Sequence, residues 1–232
     1  MKDIFSYNND IEKNAYMNWR TQHYDHIHNM IVIAEGFRDS ALLLVKEILE
    51  DNSGKRADNL IFPILFNANH SIEVYLKAIC WTQNQLLGKN DTFDGNHNLQ
   101  GLFKKVVDLE NELKNSNEQV FHEMLSNLKA YINELYGKIE RTAIDKKGNN
   151  KTLHDITFCR YTLNNDLEPQ FYINTFDNVV VDLENFFTVF QDIFDSLDSL
   201  SIHYLSLLEG KQEAEYEARQ IQAEMASELR GE

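Results

Sequence analysis

Two prolines and nine glycines in 232 residues are too few for an all-β chain, whose many tight turns draw on those two residues. A helical fold is what that scarcity leaves. Long hydrophobic runs are missing too: none approaches the 18 or so residues that a bilayer-spanning helix needs. The opening MKDIFSYNNDIEK has no apolar core and no small-residue cleavage site, so no signal peptide and no membrane partner are expected. Cysteine is nearly absent. Two thiols in separate contexts suit a reducing cytoplasm, where they act as small buried side chains. Positive charge is short as well, with 22 Lys and Arg against 37 Asp and Glu for a net charge of −15. That balance argues against a surface that coats DNA or RNA, because phosphate contacts need concentrated cations. A local basic pocket stays compatible with it.

Apolar side chains are plentiful at 43%, enough for one sizeable core. The chain organises itself around residues 58–106. Asp58 or Asn59 can cap a helix, and Pro63 falls within its first turns, where a missing N–H costs least. Ile64, Leu65, Ala68, Ile72, Tyr75, Leu76, Ile79 and Cys80 then recur at three- and four-residue steps, which predicts a helix with a broad buried face. Into that apolar helix the sequence sets Asn67, Asn69, His70, Glu73 and Lys77. His70, Glu73 and Lys77 share one stripe by their spacing. After a polar loop, His97-Asn98-Leu99 opens the next helix.

Upstream, helix is expected from about Asp10, interrupted near His23 to His28. A stripe from Met30 to Ile48 should then pack antiparallel to the central helix across a short connection at Gly54. Downstream, Leu102 to Leu113 predicts a helix ending near Asn115, and Asn117 caps another that runs from Glu118 to about Ile139. Residues 146–151 read as a basic loop. Ile156, Phe158 and Tyr161 read as an extended strand or irregular lid, with Gln170 to Ile173 as hairpin partner. A Phe-rich final helix is expected from Asn174 or Thr175, and past Gly210 its apolar stripe thins. The expected architecture is an all-α antiparallel helical bundle over residues 1–210, with a small irregular or hairpin insertion at about 146–173. Residues 211–232 form a helical tail, an arm for a partner or a second subunit, since a lone helix of that length is marginal in water.

The pattern NHSIEVYLKAI, a polar loop and then HNLQGLF resembles the HEPN superfamily. More narrowly, it is similar to bacterial HEPN-like proteins whose helix carries Phe-Pro-x-hydrophobic-Phe, here Phe62 to Phe66, followed by His, Glu and Lys in the places of His70, Glu73 and Lys77, with a His-Asn/Asp-Leu element behind it. Thr157-Phe158-Cys159-Arg160-Tyr161 is similar to a Phe-Arg-Tyr segment those proteins carry before their last helices. The likeness spans roughly residues 30–200. It implies a homodimer in which two protomers form one cleft, and an RNA- or nucleotide-directed protein of a bacterial stress or phage-defence system. Its expected chemistry is a metal-independent ribonuclease that needs no cofactor.

Many members of that superfamily use an Arg followed four to six residues later by a His. The His serves as general acid or base on a ribose hydroxyl, and the Arg steadies the phosphate charge. Here the one pair at that spacing is Arg20 and His26, ahead of the matched helices. On the matched helix His70 is accompanied by Asn67 and Asn69, with no Arg. The candidate catalytic residues are therefore His70, Glu73 and His97, with Arg20 and His26 as the alternative. Asn69, Lys77, Asn98, Arg160 and Tyr161 are candidate ligand contacts, with Glu73 orienting His70 and Tyr161 offering a ring for a base to stack on. The same His70–Glu73–Lys77 stripe also fits a satisfied polar network that merely fixes helix packing. His23, His26 and His28 are close in sequence, but in a helix they cannot all face one ion, so no metal site is expected. The competing functional expectation is a non-catalytic homodimeric module whose C-terminal helix and tail bind a protein partner, such as a toxin, a nucleotidyltransferase or a defence effector.

Overall fold

The computed structural model describes residues 2–93, 95, 97–144, 149–164 and 166–230. It is an all-α helical bundle with one small hairpin and a long C-terminal helix. The N-terminal residues depart from the expected helix. Apart from one 3-10 turn at Ile11–Lys13, nothing among the described residues before residue 26 is helical. The cause is local: Asn14 accepts from the Asn8 N–H and donates to the Asn8 and Asp10 carbonyls. Such Asn and Asp side chains compete with the helical ladder for backbone partners. Helix α1 (His26–Glu50) starts only where Asp25 accepts from the His28 N–H at 2.9 Å.

Helix α2 (Ala57–Leu86) is the centre of the molecule, packed against α1, α3 and α6. It runs antiparallel to α1: His26 stacks on Trp81, the Ser71 hydroxyl donates to the Ala34 carbonyl, and Phe37 meets Phe66 edge-on. Its start lies just ahead of the expected caps. Neither Asp58 nor Asn59 caps it; Asn52, from the preceding turn, accepts from the Ala57 N–H at 3.0 Å. Pro63 consequently sits in the second turn, on an exposed face where the lost donor does least harm. Every residue from Ser71 to Cys80 is buried. A helix buried all round has to satisfy its polar side chains inside the protein, and this one carries several.

Helix α3 (Leu99–Leu113) is capped by Asn98, which accepts from the Gly101 N–H at 3.0 Å and from the Tyr136 hydroxyl at 2.8 Å. It stops at Lys114, which turns left-handed at φ 54. Asn117 caps α4 (Glu118–Met124) as expected. The single helix expected over 118–139 is broken, however: Leu125 leaves helical geometry at φ −94, ψ 8, and α5 (Ser126–Ile139) begins afresh. Leu125 is buried, and Ser126-Asn127 behind it are poor helix formers. Because Asn98 serves both a cap and a buried phenol, Asn98→Ala should cost about 1–2 kcal/mol. A melting temperature lowered by roughly 2–8 °C would register that loss.

The hairpin forms upstream of where it was expected. Strand β1 (Glu140–Ile144) pairs antiparallel with β2 (Asn150–His154), Thr142 opposite Thr152. Of the basic loop, residues 146–148 lie outside the described residues. Residues 156–161 are not a strand. Asp155 accepts from both the N–H and the hydroxyl of Thr157 and folds them into turns; among the described residues the expected pairing with Gln170 to Ile173 is replaced by one bridge outside it, Leu163 with Pro169. Helix α6 (Leu183–Arg230) starts later than Asn174 or Thr175, capped by Asp182. Three consecutive β-branched residues, Val179-Val180-Val181, disfavour helix ahead of it. Phe186, Phe190, Phe194, Leu197 and Tyr204 bury its first half against the bundle. At Lys211 the ammonium donates to the Gln85 and Leu86 carbonyls, closing the C-terminal end of α2. Beyond it α6 continues as one helix, exposed over residues 212–226. Among the described residues no helix is long and apolar enough to cross a membrane.

Candidate functional site

Glu73 is the hub of the polar cluster inside α2. It is 6% exposed, and three cationic or donor side chains surround its carboxylate. Lys77, one turn along the same helix, reaches Oε1 at 2.7 Å. His97 arrives from the loop before α3 and sets its Nδ1 at 2.9 and 3.1 Å from the two oxygens. His70 lies one turn back, its Nδ1 at 3.8 Å, beyond direct hydrogen-bond distance. Burial alone would raise the carboxyl's pKa. The His70, Lys77 and His97 side chains override it and hold Glu73 down at about 2. Glu73 is therefore a fixed negative charge throughout the neutral range, and with its Nδ1–H donated to that charge His97 is left with a free Nε2.

The sign of the resulting pH effect follows from that depression. The carboxyl ionises near 4.5 when unfolded and near 2 when folded. Its contribution, about 3 kcal/mol, is fully present above pH 4.5 and is lost as pH falls toward 2. Urea midpoints taken from pH 7 down to pH 2.5 should fall, and the fall should be shallower in Glu73→Gln, which has nothing to titrate there.

Residues that follow the hairpin complete the site. Gln170 donates to Asp155, and the Tyr172 hydroxyl donates to the Phe158 carbonyl, so the turn at 155–160 is fastened at both ends. Phe158 and Cys159 face inward, which leaves Arg160 on the surface side with its guanidinium 5.6 Å from the centre of the Phe66 ring. Phe66 in turn stacks on His70 with planes 4° apart, and Phe37 meets His70 edge-on. A cavity of about 80 Å³ opens between these elements, lined by Phe66, Asn69, His70, Glu73 and His97 on one side and by Ile156, Cys159 and Arg160 on the other. Burial pushes the Cys159 thiol up to about 11, so it contributes shape rather than a nucleophile.

Thus His70, Glu73, His97, Asn69 and Arg160 meet at one cavity. The remaining candidates do not line it. Lys77 sits behind Glu73, its ammonium 5.5 Å from the Phe93 ring. Asn98 is engaged as the α3 cap and with Tyr136. Tyr161 flanks Arg160 at 5.7 Å and is 62% exposed, outside the cavity. The alternative pair lies elsewhere: His26 stacks on Trp81, eleven residues along α2 from His70, or roughly 16 Å at the helical rise. The Arg20 carbonyl is taken by His28, while His23 meets Tyr24 edge-on, so the three N-terminal imidazoles point to different partners. Among the described residues no group of three or more His, Cys, Asp and Glu side chains is placed to hold a metal ion. Tyr131 carries no signal in the sequence, whereas Phe66 closes the Phe-Pro-x-hydrophobic-Phe run of the resemblance and lies four residues before His70, on the same helix face. No family model, curated protein or solved structure matches the chain.

Proposed function

We propose that this cavity is an acid–base site acting on RNA or nucleotides, and that the chain is a HEPN-like protein of a bacterial stress or phage-defence system with metal-independent ribonuclease activity. The observation that carries the reading is the pair of imidazoles on one carboxylate facing a guanidinium across a small cavity. In the reaction, His97 Nε2 takes the proton of a ribose 2′-hydroxyl whose oxygen attacks the adjacent phosphorus. A 2′,3′-cyclic phosphate forms, the bond to the 5′-oxygen breaks, and His70 returns a proton to that oxygen. Arg160 steadies the charge that gathers on the phosphoryl oxygens. Glu73 orients His97 rather than meeting the substrate. The homodimer implied by the resemblance would bring two such cavities into one cleft. The test is to incubate the purified protein with a mixed tRNA and mRNA pool. Cleavage by the intact protein that disappears in His70→Ala is expected; no cleavage, or cleavage indifferent to His70→Ala, contradicts the reading. A second reading, a non-catalytic module that binds a protein partner, is favoured by the exposure of α6 over residues 212–226, where Tyr216, Ile221 and Met225 stand in solvent.

A further inference from the structure

A second concavity lies between α5 and α6, and no residue of the His70 cavity lines it. The two helices run antiparallel there, with Asn127 bonded to Asp192 at 2.8 Å and Tyr131 edge-on to Phe190. They leave a trough of about 460 Å³, the size of a site for a small molecule. Its walls are mainly apolar, and much of that surface is within a ligand's reach. Leu65, Tyr131, Phe171 and Val189 are half-buried, and Ala130 is exposed. Residues 179–181, which lead into α6, add three valines, one of them 79% exposed. Apolar surface held open in a concavity gains free energy when a ligand covers it.

The polar groups of the lining say which ligand. Asn127 is taken by Asp192, and Asp182 caps α6, accepting from the Glu184 and Asn185 N–H groups. That leaves Glu134, Lys138 and Asn185 on the lip, all exposed. Glu134 and Lys138 have the spacing and order that pair best on a helix, yet among the described residues neither forms an ion pair. One carboxylate and one ammonium thus stand open, a turn apart, above an apolar floor. A ligand carrying only a carboxylate satisfies Lys138 but faces Glu134, in a chain whose net charge is already −15. An amine alone satisfies Glu134 and faces Lys138. A zwitterion answers both. We infer that the trough takes an α-amino acid with an apolar side chain. That side chain lies against the valines and aromatic rings, Lys138 meets the carboxylate and Glu134 meets the ammonium. The inference is independent of the RNA reading, since the two concavities share no residue.

The test is an NMR shift titration of the whole chain with four probes: phenylalanine, 3-phenylpropionate, 2-phenylethylamine and glycine. The first three share one apolar body and differ only in charge; glycine keeps the zwitterion and lacks the body. Phenylalanine should bind tightest. Each singly charged analogue should bind about two- to fivefold more weakly, the range for one exposed ion pair. Glycine should be weaker by roughly 10- to 100-fold, as should phenylalanine on Ala130→Trp, whose indole fills the trough from an exposed position. Two further exposed changes assign the charges without touching the core. Lys138→Ala should abolish the advantage of phenylalanine over the amine but keep its advantage over the acid; Glu134→Ala should do the reverse. Wild-type protein that binds none of the probes would overturn the inference. So would an acid or an amine that binds as tightly as phenylalanine, binding indifferent to Ala130→Trp, or a zwitterion advantage that survives both alanine variants.

Discussion

Glu73→Leu is expected to destabilise the protein by about 3–5 kcal/mol, the largest effect of any single change in the polar cluster. The reason lies in what it leaves behind. Lys77 has a side chain only 10% exposed, and its ammonium takes its closest contact from Glu73. Without the carboxylate, that charge is stranded in a helix buried all round, and His97 loses its acceptor. For a chain of this length each kcal/mol moves the melting temperature by roughly 2–4 °C, so a drop of about 6–20 °C is the expected reading. The double variant Glu73→Leu with Lys77→Met should recover much of that loss, since removing both members of a buried pair is often close to neutral. A single variant that melts within a degree or two of wild type would mean that the cluster holds nothing together.

His97→Ala is expected to lower RNA cleavage by about 10²–10⁴-fold, the range for a positioned acid or base, with little change in stability. His97 has a side chain 58% exposed, so its bond to Glu73 is half in water and is worth little to the fold. The two substitutions therefore separate two roles: Glu73 is a structural hub that also orients an imidazole, whereas in the proposed reaction His97 is the group that moves the proton. A His97→Ala protein that melts several degrees lower but cleaves RNA normally would reverse that division.

Much of the frame was legible before any coordinates. The α2 periodicity, the Asn98 and Asn117 caps and the Phe-rich run of α6 are local patterns, and local patterns survive tertiary packing. The misplacements have local causes too: the Asn8–Asp10–Asn14 side chains that unpick an N-terminal helix, and the valine run that delays α6. What could not be read was distance across the fold. Nothing in the spacing of His70, Glu73 and Lys77 says that a histidine 24 residues away would bind the same carboxylate. Arg160 reaches Phe66 only because Asp155, Thr157 and Gln170 fold the preceding turn. Tyr161, one residue on, points out of the cavity for the same reason, and Asn98 is diverted by a tyrosine 38 residues later.

The proposed chemistry resides between His70, His97 and Arg160 and not at the Arg20–His26 junction. The most direct measurement compares initial rates of RNA cleavage by wild-type, His97→Ala and His26→Ala proteins at equal concentration. A rate lost in His97→Ala and kept within twofold in His26→Ala is what the cavity requires. A rate lost in His26→Ala and kept in His97→Ala would place the reaction at the other end of α2 and contradict the account.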